Sequence, residues 1–263
     1  MRKKEERKYF EKEWREMKAS LKAYLQKEQQ EDLHHFRVQV KKISAFLILS
    51  ESTGHHPVLT NHFKPIKRIF KKAGNIRNAY MNIELGKTYQ IENDTYINQQ
   101  QELQSQTNAK FKANSHKNLK KINSVYKVLK EKIKAISDVH ISLFYQNRLQ
   151  LIANSLTGIQ FNEGLHTNRK QLKILIYNYK LTHPIIATGF NEPYLDQVQT
   201  AIGNWHDHVQ AIDLFSGNQV NDKAAVNSLK KQNIKYKTRI THLTKNIYNQ
   251  ATTTVEIPLE QVS

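Results

Sequence analysis

Cysteine is absent from the chain. Disulfide scaffolds, thiolate zinc sites, iron–sulfur clusters and cysteine nucleophiles are excluded with it. Glycine and proline are sparse, 8 and 5 residues in 263. That is too few for the many tight turns of an all-β protein, so long helices are expected. Long apolar runs are missing too. No stretch approaches the roughly 18 residues of a membrane span, and Met1-Arg2-Lys3-Lys4-Glu5-Glu6-Arg7 leads into no apolar run, so neither a bilayer span nor a secretory leader is expected. Scarcest of all is negative charge. Lys and Arg number 41 against 23 Asp and Glu, a formal charge of +18 with a pI of about 9.8. Self-repulsion on that scale is costly unless an anion is bound. A hydrophobic share of 38% suffices for a core. A cytosolic protein of one large or two small domains is the expectation.

What is present repeats with the period of a helix. Phe10, Trp14, Met17, Leu21 and Leu25 recur at intervals of three or four, as do Phe36, Val40, Ile43 and Leu47, and then Ile66, Ile69, Phe70 and Ala73. Further apolar stripes run from Asn118 to Ser155, in one or two helices, then through Leu172, Leu175 and Tyr179, through Leu195 to Trp205, and from Leu229 towards Ile247. Turn-forming segments separate them, among them Thr53-Gly54-His55-His56-Pro57, Glu92-Asn93-Asp94, Thr157-Gly158, His183-Pro184, Thr188-Gly189 and Ser216-Gly217-Asn218. Breakers are expected between the helices and not within them. Eight or so helices without a strand make an all-α fold. Ala251 to Ser263 loses the period and reads as a frayed tail.

The chain also contains an internal repeat. Leu33-His34-His35-Phe36-Arg37-Val38-Gln39-Val40-Lys41 returns as Leu165-His166-Thr167-Asn168-Arg169-Lys170-Gln171-Leu172-Lys173, each copy holding Leu-His-x-x-Arg-x-x-x-Lys. One and the same interval separates His34 from His166, Arg37 from Arg169 and Lys41 from Lys173. A second element follows each copy, Gly74-Asn75-Ile76-Arg77-Asn78 and Gly203-Asn204-Trp205-His206-Asp207, at a slightly shorter interval, so one connecting loop differs in length. Domain boundaries follow from the repeat: residues 1–155 as a first bundle, 156–250 as a second, and 251–263 as the tail.

At about 100° per residue, His34, Arg37 and Lys41 lie at roughly 0°, 300° and 340° around a helix, a single stripe beside the apolar one. No Asp or Glu interrupts the sequence from Phe36 to Ser50 or from Thr167 to Asn178. Like charges spaced this way repel by a few tenths of a kcal/mol per pair, so a compensating anion is expected. Lys64, Lys67, Arg68 and Lys71 add a second basic row opposite Ile66, Ile69 and Phe70. The chemistry suits phosphate: Arg donates as a planar fork, Lys supplies a mobile ammonium, and His donates or switches with pH.

Other readings are weaker. Glu31-x-x-His34 and Glu163-x-x-His166 have the spacing of di-iron bundles, yet Arg37 and Lys41 crowd the first and further glutamates are required. Trp205-His206-Asp207-His208 suggests a metal-dependent phosphohydrolase whose remaining ligands cannot be assembled. His140 and His242 read as core histidines. Nucleic acid is the second candidate ligand, since a phosphate groove takes any polyanion partly through counterion release, but the basic stripes lack interleaved stacking residues.

The paired motifs resemble the conserved-histidine α-helical domain family, CHAD, from about Leu21 to Ile247. That resemblance implies two four-helix bundles related by pseudo-twofold symmetry, with a basic channel that binds inorganic polyphosphate without catalysis. It places His34, Arg37, Lys41 and Lys42 of the first copy and His166, Arg169 and Lys173 of the second in that channel, and matches Tyr177 to an aromatic position. Lys64, Lys67, Arg68, Lys71 and Lys170 complete the candidate set. Ser44, Ile174 and Ile176 stand where the family usually has Arg or Lys, and Asn78 where it has Asp. Gln197 and Gln199 leave the second copy poorer in charge, so the first is expected to hold ligand more strongly. The fused triphosphate-tunnel domain of some members, with its Glu-x-Glu-x-Lys strand, has no counterpart here. No metal or cofactor is expected, sulfate or phosphate would occupy the site in crystals, and the cytoplasm, at polyphosphate granules, is the expected location.

Overall fold

The computed structural model describes residues 3–52, 58–89, 94–186, 189–217, 220 and 222–252. The loop around His55 and His56, the positions Glu92, Asn93, Thr188 and Asn218, and the tail from 253 lie outside them. The described residues form ten helices and no strand, so the fold is all-α. They are α1 (Lys3–Lys27), α2 (Gln30–Glu51), α3 (Leu59–Thr88), α4 (Asp94–Ala113), α5 (Ser115–Lys132), α6 (Asp138–Leu156), α7 (Glu163–Thr182), α8 (Glu192–Ser216), α9 (Lys223–Thr244) and α10 (Ile247–Thr252).

Several boundaries have visible causes. Ser137 caps α6 by accepting from the His140 amide, and Asn162 caps α7 by accepting from the Gly164 amide at 2.8 Å. Between α1 and α2 the chain reverses at Glu28, whose φ of 56° is left-handed. Its carboxylate is held by Asn108 and Lys112. The helix α4 is absent from the periodic segments of the sequence. It is a polar helix pinned at its ends by Tyr96 and Phe111, both buried, and by Asn108, which accepts from the Tyr24 hydroxyl at 2.9 Å. Pro65 lies inside α3, so one breaker does fall within a helix. Ala251 and Thr252 close α10, so the regular structure runs past the expected start of the tail. His140 bonds Ser137 at the α6 cap and His242 is exposed on α9; neither is a core residue.

The chain divides into two compact units. Among the described residues, one holds residues 3–135 together with Gln210–Lys230; the other holds Ile136–Val209 and residues 231–252. The division falls before α6, which packs on α7 and α10. In the first unit α1 packs on α2 and α5, and α3 on α2, α4 and α5. Phe10, Trp14, Phe36, Phe46 and Phe63 fill the space between them. Phe215, Val226 and Leu229, from the ends of α8 and α9 that belong to this unit, pack with Leu85 and Tyr89. In the second unit the Tyr145 hydroxyl donates to the Leu175 carbonyl at 2.9 Å and accepts from Thr182 at 2.8 Å. Phe190 meets the Tyr145 ring edge-on at 5.2 Å.

Phe46 is wholly buried and lies 5.6 Å from Tyr9 and 6.1 Å from Phe10, ring centre to ring centre. Phe46→Ala is expected to cost about 3–5 kcal/mol, measured as a lowered urea midpoint at unchanged slope.

Candidate anion-binding site

The motif arginines are anchored in the same way in both units. Arg37 reaches from α2 to α3, where its Nη1 donates to the Phe70 carbonyl oxygen at 2.9 Å and its guanidinium covers the Phe70 ring at 4.2 Å. Arg169 reaches from α7 to α8, where its Nε donates to the Gln199 carbonyl oxygen at 3.1 Å. Phe70 and Gln199 are separated along the chain by the same interval as the two Gly-Asn elements. Those glycines explain themselves. A Cβ on Gly74 would lie 2.5 Å from Arg37 Nη1, and one on Gly203 would lie 2.6 to 2.8 Å from three atoms of the Arg169 guanidinium. Glycine at this point lets a planar cation lie against a helix backbone.

The histidines sit beside these arginines. Around the His34 ring, loss of solvent and the positive fields of Arg77, Lys41 and His35 outweigh Glu31 and lower its pKa. His166 stacks on His206 at 3.9 Å, and its Nδ1 is buried with no partner among the described residues. Burial first, then His206, Lys170 and Arg169, against the raising field of Glu163, bring its pKa down to about 4. Both rings are thus harder to charge than free imidazole, and His166 is a neutral donor at mildly acidic pH. Arg77 and His206 occupy equivalent places in the Gly-Asn elements of the two copies. Both join the candidate site, although the sequence offered them only as letters of a secondary motif.

The remaining candidates divide. Lys41 is exposed on α2 beside His34. Lys42 turns away to α1 and pairs at 3.5 Å with Glu13, a buried carboxylate whose pKa desolvation raises despite that lysine. Lys170 is exposed and pairs with Glu163 at 3.6 Å. Lys173 is half-buried, 5.9 Å from the Tyr177 ring centre. Burial and Arg169 lower its pKa while Asp196 and Asp207 pull the other way. Burial raises the Tyr177 hydroxyl. On α3, Lys64, Lys67, Arg68 and Lys71 are all exposed, with no carboxylate partner among the described residues. Their counterparts on α8 are Pro193, Asp196, Gln197 and Thr200. The first cluster is thus almost purely cationic, and the second carries its own carboxylates.

The two glutamates of the metal reading are occupied elsewhere, Glu31 with His35 at 3.0 Å and Glu163 with Lys170. Among the described residues no three of His, Asp or Glu gather as metal ligands would. No described helix is long and apolar enough to cross a membrane. What both clusters offer is anion recognition: a fixed guanidinium with donors to spare, an ammonium one turn away, and a neutral imidazole N–H.

A helical protein bearing duplicated His-Arg-Lys clusters is the class so defined. The chain matches the CHAD domain family over residues 8–216, most of its length, and belongs to that family. No curated protein and no solved structure matches it.

Two outcomes follow from the geometry. Alanine at a helix-interior glycine gains up to about 1 kcal/mol, whereas a hydrogen bond from a charged donor is worth about 1.5–3 kcal/mol. Gly203→Ala should therefore destabilise the protein by about 1 kcal/mol, yet stabilise it in an Arg169→Ala background, a sign reversal visible in urea titrations of the four proteins. The second concerns acid. Unfolded His166 takes its proton near pH 6.5, while in the folded chain it stays neutral down to about 4. The unfolded state binds the extra proton across that window, so this contribution to stability is whole above it and is lost as pH falls through it. Calorimetry from pH 7 to pH 4.5 should show a shallower fall in Tm for His166→Gln than for the unsubstituted protein.

Proposed function

We propose that the chain binds inorganic polyphosphate on its two motif clusters, as membership of the CHAD family implies, and that it does so without catalysis. One observation supports this most directly. Arg37 is fixed to a backbone carbonyl, and the charge that bears on it is that of Arg77, a second cation. A guanidinium held this way satisfies the fold with one N–H and keeps others for an external acceptor. Polyphosphate supplies closely spaced oxygens that bridge such donors, and a chain of them can follow the exposed row Lys64, Lys67, Arg68 and Lys71. Charge-assisted bonds of this kind need no nucleophile or general base. The cytoplasm, where polyphosphate accumulates in granules, is the proposed place of action.

The unequal charge of the clusters gives the test its shape. Arg37→Ala with Lys41→Ala should weaken binding of long-chain polyphosphate by at least about tenfold at moderate salt, a loss of roughly 1.4 kcal/mol or more. Arg169→Ala with Lys173→Ala should cost less, because Asp196 and Asp207 already offset that cluster. Calorimetric titration measures both, with circular dichroism to show that the helices persist. Duplex DNA at matched phosphate concentration is the competitor. Equal displacement by DNA and polyphosphate would favour a general polyanion binder, and unchanged affinity in the first double variant would overturn the site.

A further inference from the structure

A second basic feature lies on another face of the first unit. Arg15, Lys18 and Lys22 on α1 repeat the i, i+3, i+7 spacing of His34, Arg37 and Lys41. They border a cavity of about 390 Å³ between α1 and α5, lined also by Trp14, Asn123 and Tyr126. Two other cations of α1 are answered locally: Lys12 pairs with Glu16 and Arg7 with Glu11. Arg15 and Lys22 have no carboxylate partner among the described residues. Lys18 donates to Asn123 Oδ1 at 2.8 Å, which fixes the ammonium at the rim and leaves the Asn123 amide nitrogen without an acceptor among the described residues. Glu11, at one end, is neutralised by Lys130 at 2.8 Å.

Beneath the rim the surface changes character. Trp14 is 3% exposed, and its indole Nε1 is buried with no acceptor among the described residues. The edges of Trp14 and Tyr126, 5.7 Å apart between ring centres, make an apolar floor with Ala19. Inorganic phosphate would leave most of this volume empty, whereas small-molecule sites commonly measure about 300–1,000 Å³. The occupant that fits has an anionic head for the cations and a flat heterocycle with a hydrogen-bond acceptor for the Asn123 amide.

We infer that this cavity between α1 and α5 is a binding site for a nucleoside phosphate, separate from the motif clusters. Its phosphates meet Arg15, Lys18 and Lys22, and its base lies against the Trp14 and Tyr126 edges. The inference does not rest on the polyphosphate reading.

The chain has two tryptophans, so Trp205→Phe leaves Trp14 as the only indole reporter. ADP is expected to shift the Trp14 emission saturably, with pyrophosphate and adenosine each at least about tenfold weaker. Arg15→Ala with Lys22→Ala should weaken ADP at least about tenfold, while Arg37→Ala with Lys41→Ala should leave it unchanged. Calorimetry with ADP on the chain that keeps Trp205 reads the same affinities if the single-tryptophan variant fails to fold. No saturable binding at millimolar ADP would overturn the inference, as would pyrophosphate equal to ADP. Loss of ADP binding only in the Arg37/Lys41 variant would overturn the location and leave the polyphosphate site standing.

Discussion

A guanidinium can lie flat on a helix backbone only where no Cβ projects, and both halves of this protein are built around that fact. Arg37 over Gly74 and Arg169 over Gly203 tie one motif helix to the next through a single bond to a carbonyl already engaged in its own helix. The same contact holds a positive charge at a fixed height beside the stripe that carries His34 and Lys41, or His166 and Lys173. Take away either partner of the pair, and both the packing of the two helices and the position of the charge change together. That coupling explains why the two motifs occur in the same order in each half.

Within that shared frame the copies have diverged in chemistry. Arg77 approaches His34, whereas His206 stacks on His166. The aromatic support under Arg37 is Phe70; the matching residue under Arg169 is Gln199, which offers a carbonyl and no ring. Asp196 and Asp207 temper Lys173, while their counterparts on α3 are Lys67 and Asn78, neither of them acidic. On the proposed function, an anion would meet few competing carboxylates at the first cluster and the protein's own Asp196 and Asp207 at the second.

Much of this could be read from the sequence, and the rest had physical reasons for staying hidden. Apolar residues at three- and four-residue intervals placed α1, α2 and α3, because each buries one face of a helix and the period shows it. The fourth helix escaped because Asn98, Gln99, Gln100 and Gln101 give it no stripe; it packs on α3 and buries two aromatic residues, Tyr96 and Phe111. Arg37 and Arg169 stood out as letters in a repeat, but their backbone acceptors, at Phe70 and Gln199, lie thirty or more positions further along the chain. Lys42 looked equivalent to Lys41 until Glu13, buried on α1, drew it to the other side of its helix. Charge partners contributed by another helix are what a one-dimensional pattern cannot carry.

The helices α8 and α9 each begin in one compact unit and finish in the other. The first unit is therefore discontinuous in the chain: Phe215, Val226 and Leu229 complete a hydrophobic cluster opened by Leu85 and Tyr89. During synthesis the N-terminal helices must wait, with that apolar surface uncovered, until more than a hundred further residues have left the ribosome. The two halves cannot mature one after the other like beads on a string; the earlier-made half is sealed by residues that arrive only after most of the later one has been made.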